Sequence, residues 1–447
     1  MFESLINIFK IPDLKKKVLI TLGLIAVYRV GAFIPTPGID SSKLLMFFER
    51  MTQTAGGNLF GLINVFSGGA MQRATIFALG IMPYISASII LQLLTAVVPQ
   101  LEKLAKEGES GRRKIMQYTR YGTVILSIIQ SFFIAMWLEN PAHFQGEVIV
   151  PYAGLLFRLT TIITLTSGTA FIMWLGEQIQ EFGIGNGISL IITAGIISRL
   201  PTALIQLGGL VSFTAEKRQI EPFTLILMAA MFVGVIVAVI LITQGQRKIP
   251  VQYAKRIIGR KIYGGQSTYI PLRVNQAGVI PIIFAASIIM FPATIAALIP
   301  NDLVQNMASA LQDRGVVYNI IYSLLIIFFC YFYTAITFNP IDVAENMKRY
   351  GGFVPGIRPG KATAEFLDHV MTRITLPGAI FLSIIAIIPT IISAVLKIPF
   401  LVASFFGGTS LLIIVGVMLD TVQQIEAHLL TRHYEGFMKK GRIKGRR

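Results

Sequence analysis

The sequence predicts an all-α, polytopic membrane protein with ten transmembrane helices, and three observations carry that prediction. Only 14% of the 447 residues are charged, where a soluble domain carries about 25%, and the mean hydropathy is +0.69. Charge-free apolar runs recur: Ala74–Leu101, Pro222–Gln246, Val274–Asn301, Gly315–Ile341, Ile374–Leu396 and Ile398–Leu419. Each exceeds the roughly 20 residues that cross a bilayer as a helix. The basic residues are also sorted: twenty-nine of thirty-nine Lys and Arg fall on one side of the crossings, nine on the other, and Arg29 within the first. A β-barrel would instead show alternating segments of about ten residues.

The spans fall near 18–36, 74–98, 118–138, 154–175, 187–206, 222–243, 275–298, 316–338, 374–395 and 403–425. The first follows the basic stretch Met1–Lys17 and runs past Arg29 with no small-residue cleavage site, so it reads as a helix rather than a signal peptide. An even number of spans puts both termini on one side. The N-terminus holds four basic residues, loop 101–119 five, loop 244–274 seven, loop 340–375 five and the tail 427–447 seven. By the positive-inside rule these face the cytosol. Orientation alone does not require seven basic residues and no acid in loop 244–274; a docking partner there would bring negative charge. The tail 439–447 is read more plainly as meeting anionic lipid.

Met51–Gln72 is charge-free but carries Gly56, Gly57, Asn58, Asn64, Ser67, Gly68 and Gly69. Glycines this dense weaken a helix, and a full span here would make the count odd. The segment reads as a short re-entrant helix, with a plain external loop as the alternative. Irregular backbone at membrane depth is tolerated only against protein or a water-filled cavity, so a cavity is implied. Two halves of five spans, 1–206 and 207–447, are suggested by the count, although no residue-level repeat joins them.

Catalytic chemistry is missing. There is no HExxH, and His143, His369, His428 and His433 are scattered; there is no GxSxG; Gly356–Lys361 lacks P-loop spacing. Gly183, Gly185 and Gly187 follow no strand and read as a turn that starts a helix. Cys330 is the only cysteine, so no intramolecular disulfide can form. No catalytic residue, cofactor or metal is expected. Ion-coupled transport needs ionisable groups at mid-membrane depth, for which the chain offers Arg29 and Asp420. Asp420 lies near a cytosolic end, and Arg29 can snorkel outward, so no relay for ion-coupled transport is evident. Energy must then come from a partner. A small-molecule secondary transporter is the alternative reading.

Several segments are distinctive. Gly108–Thr123 reads GESGRRKIMQYTRYGT, Trp174–Ile197 reads WLGEQIQEFGIGNGISLIITAGII, and Gln266–Pro281 reads QSTYIPLRVNQAGVIP. Asn339–Arg373 contains GGFVPGIRPGKATAEFLDHVMTR, and Pro399–Leu412 reads PFLVASFFGGTSLL. These resemble the SecY/Sec61α family, the channel subunits of protein-export translocons, from about residue 10 to the end. The resemblance implies two pseudo-symmetric halves opening like a clamshell around an hourglass pore, with a lateral gate between the second and seventh spans. It implies SecE and SecG as companion subunits, and SecA or the ribosome as the source of movement. Secretory or nascent polypeptides with signal sequences would be the cargo, and membrane lipids would receive hydrophobic segments sideways. The expected location is the bacterial plasma membrane, with both termini cytosolic.

The family's aliphatic pore ring maps by motif onto Ile81 and Ile85 (FALGIMPYISASI), Ile188 and Ile192 (GIGNGISLII), Ile283 (AGVIPIIFA) and Ile413 (GGTSLLI). Branched aliphatic rings make narrow constrictions that dewet and block ions. The family's plug, about 58–70, maps onto Asn58, Leu59, Phe60, Gly61, Leu62, Ile63, Asn64, Val65, Phe66, Ser67, Gly68 and Gly69. Lateral-gate candidates are Ser86, Ser88 and Gln92 on the second span and Asn275 at the head of the seventh; ordinary packing of small residues is the alternative for the serines. Docking of SecA or of ribosomal RNA falls on Arg247, Lys248, Lys255, Arg256, Arg260 and Lys261 in one loop, and on Lys348, Arg349, Arg358 and Lys361 in the other. Arg358 sits in a Pro- and Gly-rich turn, where it either docks a partner or only caps its own loop.

Overall fold

The computed structural model describes residues 11–53, 67–144, 146–210, 222–253, 256–258, 261–263, 267–296, 315–396, 398 and 400–440. Helix α1 (Pro12–Gly31) opens with a proline in its first turn, where the missing N–H costs nothing. Helix α2 (Ser41–Gln53) follows. Then come α3 (Met82–Val97), α4 (Pro99–Lys106), α5 (Glu109–Glu139), α6 (Leu155–Phe182), α7 (Gly187–Ile197), α8 (Leu200–Leu210) and α9 (Pro222–Gln244). The C-terminal part holds α10 (Ile280–Ala296), α11 (Val316–Thr337), α12 (Pro340–Arg349), α13 (Lys361–Leu396), α14 (Phe400–Ala403) and α15 (Gly408–Lys440).

Helices occupy all ten expected stretches. Among the described residues, seven are long and apolar enough to cross a membrane, or eight if α3 and α4, bent by 100° at Val98, count as one span. The second span starts later than its apolar run. Its apolar run starts at Ala74, but the helix begins only at Met82. Between them the chain turns, with Ala74 at φ 44° and Gly80 at φ 58°. Hydrophobicity there records depth in the membrane rather than helical backbone.

Close approach of the helices follows from small residues. On α5, Gly111, Thr119, Thr123, Ser127, Ser131 and Ala135 are buried. Most are spaced by four, so they form a smooth stripe along which α6 packs. Gly31 abuts the Phe77 ring and Gly168 the Ile76 carbonyl, each with no room for a side chain. Where α5 ends and α6 begins, Glu139 Oε2 accepts from Arg158 Nε at 2.7 Å and Glu139 Oε1 from the Gly154 N–H at 3.0 Å. Phe47, Phe48, Trp137 and Phe144 pack beside this pair.

Strands add to the helical expectation, and only in the loops. Strands β1 (Gln246–Tyr253) and β4 (Ser267–Arg273) form an antiparallel hairpin, and β5 (Gly352–Phe353) pairs with β1 through Gln252↔Phe353 and Tyr253↔Gly352. Strands β2 (Arg256–Ile258) and β3 (Lys261–Tyr263) make a separate ribbon. Ile249, Val251 and Leu272 cover Met347, Leu367, Val370 and Met371, which seats the sheet on α12 and α13. The two basic loops, nearly a hundred residues apart, are therefore one structural unit.

Candidate pore, seam and docking platform

One apolar cluster occupies the centre of the helices. It is fed by α1, α3, α6 and α7 from the N-terminal part and by α9, α10, α11, α13 and α15 from the C-terminal part. All six isoleucines singled out as a ring belong to it or pack against it. Ile81, Ile85, Ile192, Ile283 and Ile413 are buried, and Ile188 packs against them half-exposed. Ile81 caps the start of α3 and Ile85 lies one turn on. Ile188 and Ile192 share a face of α7, whose start is set by Asn186: its Oδ1 accepts from the Ser189 N–H at 3.1 Å. The Gly183–Gly187 stretch is a helix-start turn, as expected, between α6 and α7.

Of the plug stretch, Asn58, Leu59, Phe60, Gly61, Leu62, Ile63, Asn64, Val65 and Phe66 lie outside the described residues. Ser67, Gly68 and Gly69 are described and form the neck that leads into it. Ser67 is buried, and its carbonyl oxygen lies 3.5 Å from the Tyr28 hydroxyl, which donates to it. Gly68 packs against Gly195 of α7 and the Arg29 guanidinium. Arg29 departs from expectation. It does not snorkel wholly outward: its Nη1 is buried beside the neck with no hydrogen-bond partner among the described residues. Its guanidinium lies 5.5 Å from the centroid of the Phe33 ring, and that of Arg73 lies 4.6 Å from the same ring. Nearby, Arg199 Nη2 donates to Gln72 Oε1 at 3.0 Å.

Helices α3 and α10 pack against one another, forming the expected seam. Ser86, Ser88 and Gln92 are half-buried along α3. Gln92 Nε2 donates to Ser88 Oγ at 3.3 Å, while Gln92 Oε1 is buried without a partner among the described residues. Asn275 is buried in the turn ahead of α10. Its neighbour Val274 holds that turn elsewhere, with its carbonyl set against Gly378 of α13.

Among the docking candidates, Arg247 and Lys248 are exposed on β1, and the Lys248 ammonium lies 4.9 Å from the centroid of the Tyr269 ring on β4. Lys348 and Arg349 end α12. Arg358 is exposed in a turn between Gly356 (φ 83°) and Gly360 (φ 104°), and its carbonyl accepts from Thr363 Oγ1 at 2.9 Å. Lys361 reaches Glu365 at 3.9 Å. Arg256 lies in β2 and Lys261 in β3, whereas Lys255 and Arg260 lie outside the described residues. On α4, Lys106 donates to Glu102 at 2.7 Å, which holds that carboxyl below and the ammonium above their ordinary values.

Two features escaped the sequence reading. One is the joining of the basic loops by β5. The other is a contact between the α6–α7 turn and α15: the Gly185 N–H donates to Gln424 Oε1 at 2.9 Å. The three glycines of that turn were its only local signal.

Known proteins agree with this architecture. The SecY family model matches residues 75–422. The chain is 49% identical over 437 residues to protein translocase subunit SecY of Escherichia coli strain K12, covering 97% of this chain and 96% of that one. It is 43% identical over 451 residues to the subunit of that name from Thermotoga maritima, covering all of both chains. The fold matches a solved structure described as "The structure of a protein conducting channel" at a TM-score of 0.61 and 18% identity, covering 95% of this chain and 96% of that one. It also matches Sec61 in the canine ribosome-channel complex at 0.60 and 16% identity, with the same coverage. The central cluster, the seam beside it and these matches together place this chain in the SecY family.

Proposed function

We propose that this chain is the central pore-forming subunit of a Sec translocon: a passive, gated channel for unfolded polypeptides. Secreted chains cross its waist, and hydrophobic segments leave sideways through the α3–α10 seam into lipid. Its two halves, 1–206 and 207–447, open around the waist in a bacterial plasma membrane, with both termini cytosolic. SecE and SecG accompany it, SecA or the ribosome drives it from the basic platform, and no step requires a catalytic residue of its own.

One observation carries this reading: six isoleucines from four separate stretches of the chain belong to, or pack against, one apolar cluster. A collar of branched aliphatic side chains excludes water and therefore ions. It makes no specific hydrogen bond, so it yields to any extended chain. The segment 58–69 serves as the plug beneath it. Acidic surface on a motor or the phosphates of ribosomal RNA complement loops 244–274 and 340–375, with binding that weakens steeply as salt rises.

The test is electrical. Ile192→Ser and Ile413→Ser are placed singly in the reconstituted complex, and resting conductance is recorded in planar bilayers. Each hydroxyl wets the collar, so each variant conducts ions at rest. Conductance equal to the parent's in both would remove the collar from the account.

A further inference from the structure

We infer that Gln424 is a positioning residue that holds the waist in register, by pinning the turn that starts α7 onto α15. The inference rests on the waist proposed above and adds a device that controls it.

The α6–α7 turn presents two successive backbone N–H groups, and each is taken by a side chain from a different helix. The Ile184 N–H donates to Thr21 Oγ1 of α1 at 3.0 Å. The Gly185 N–H donates to Gln424 Oε1 of α15 at 2.9 Å. The second bond joins residues 239 apart in sequence, one in each half of the chain. Gly185 is at φ +90°, and a Cβ there would stand 2.9 Å from Leu190 Cδ1 and 3.2 Å from Thr421 Oγ1. The turn therefore lies directly on α15, and its φ strains any residue but glycine at that point. Gly187 abuts the Gly176 carbonyl of α6 with no room for a side chain. The turn is held from three sides.

What the turn holds is the start of α7. Asn186 caps that helix, Ile188 lies two residues later, and Ile192 one turn beyond. Gln424 shares its helix with Ile413, eleven residues earlier. Eleven residues make about three turns and return to within about 20° of the same face, about 16 Å along the axis. The face that carries Ile413 is thus the face that carries Gln424, and α15 packs along α7. The hydrogen bond at the cytosolic end fixes how α7 seats on α15, and with it how Ile188 and Ile192 meet Ile413. When it breaks, α7 can rock on α15 and part the collar, although Gln424 itself never touches a passing chain.

The experiment compares the whole reconstituted complex carrying Q424M, Q424E and, as a reference for the waist, I413S, with resting conductance and thermal midpoint recorded for each. Methionine keeps the length of glutamine without the acceptor, while glutamate still accepts from the Gly185 N–H. Q424M is expected to raise resting conductance by about tenfold, the shift that losing one hydrogen bond imposes on a closed–open equilibrium. Q424E is expected to stay within about twofold of the parent, because its acceptor remains. Should Q424M not assemble, Q424L carries the same comparison. If I413S leaks and Q424M does not, the pin is refuted and the waist stands. If neither leaks, the waist reading fails and takes the pin with it. Equal leaks from Q424M and Q424E, or a lowered midpoint with unchanged conductance, also overturn the assignment.

Discussion

The backbones of Gly68 and Gly195 are in contact: a Cβ on Gly68 would sit 2.8 Å from the Gly195 Cα and 3.1 Å from its carbonyl oxygen. The neck of the plug stretch is therefore seated on α7, the helix that carries Ile188 and Ile192. Gly68 also stands at φ +63°. An alanine there meets both the left-handed penalty of about 1 kcal/mol and a clash with backbone that cannot turn aside. Gly69 makes an internal control, since it stands at φ +88° with open space around it. G68A should unseat the neck and raise resting conductance, while G69A should change it much less. Equal conductance in the two alanine variants would show that the Gly68–Gly195 contact does not matter to closure.

Much of this was legible in the sequence, and the exceptions share a cause. The ten helical stretches follow from apolar runs, because a bilayer forces the backbone to satisfy itself. The Gly183–Gly187 turn was legible because several of its positions exclude any side chain. The start of α3 was not, since an apolar run reports its surroundings and says nothing of Ala74 and Gly80 adopting positive φ. Strand β1 reads QRKIPVQY, in which charges and Pro250 obscure the alternation of a half-buried strand. Its two-residue partner β5 is too short to have a pattern at all. Gln424 is one polar residue among many midway along a long helix, and its role depends on a turn 239 positions away. Arg29 was misjudged because the length of its side chain allows two directions, and only the packing of Gly68 and Phe33 chooses between them.

The shared sheet predicts that the two basic loops bind as one. Gly352 is buried, and a Cβ on it would stand 3.0 Å from Tyr253 Cε1 and 3.3 Å from Val251 Cγ1. Valine at this position overpacks the pairing, at a cost of about 1–3 kcal/mol, and detaches β5 from β1. Arg358 would then lose its fixed relation to Arg247 and Lys248 without any charge being removed. Affinity for a purified ribosome should fall in G352V, while the slope of log affinity against log salt stays the same. R358E should lower the affinity and flatten that slope by about one unit, as expected when a phosphate contact is lost. A changed slope in G352V, or full affinity in both variants, would separate the loops functionally.

The seam between α3 and α10 predicts where lateral exit can be blocked. Ser86 and Ser88 are small enough for the two helices to lie close, and Gln92 leaves a buried carbonyl oxygen without a partner among the described residues. An unmet acceptor costs about 1–3 kcal/mol, so this stretch is held less firmly than an all-apolar contact. Q92L should remove the penalty, favour the closed seam and slow insertion of hydrophobic segments, while a seam-independent step such as docking at the platform stays unchanged. The sharper test is covalent. With the buried Cys330 replaced by alanine, a cysteine at Ser88 is paired with cysteines scanned along 280–289. A disulfide forms only where the two Cα atoms come within about 7 Å, so the scan also maps the contact. Oxidation of the linked pair should stop membrane insertion, and reduction should restore it. Insertion at the parental rate in the oxidised protein would mean that hydrophobic segments leave by another route.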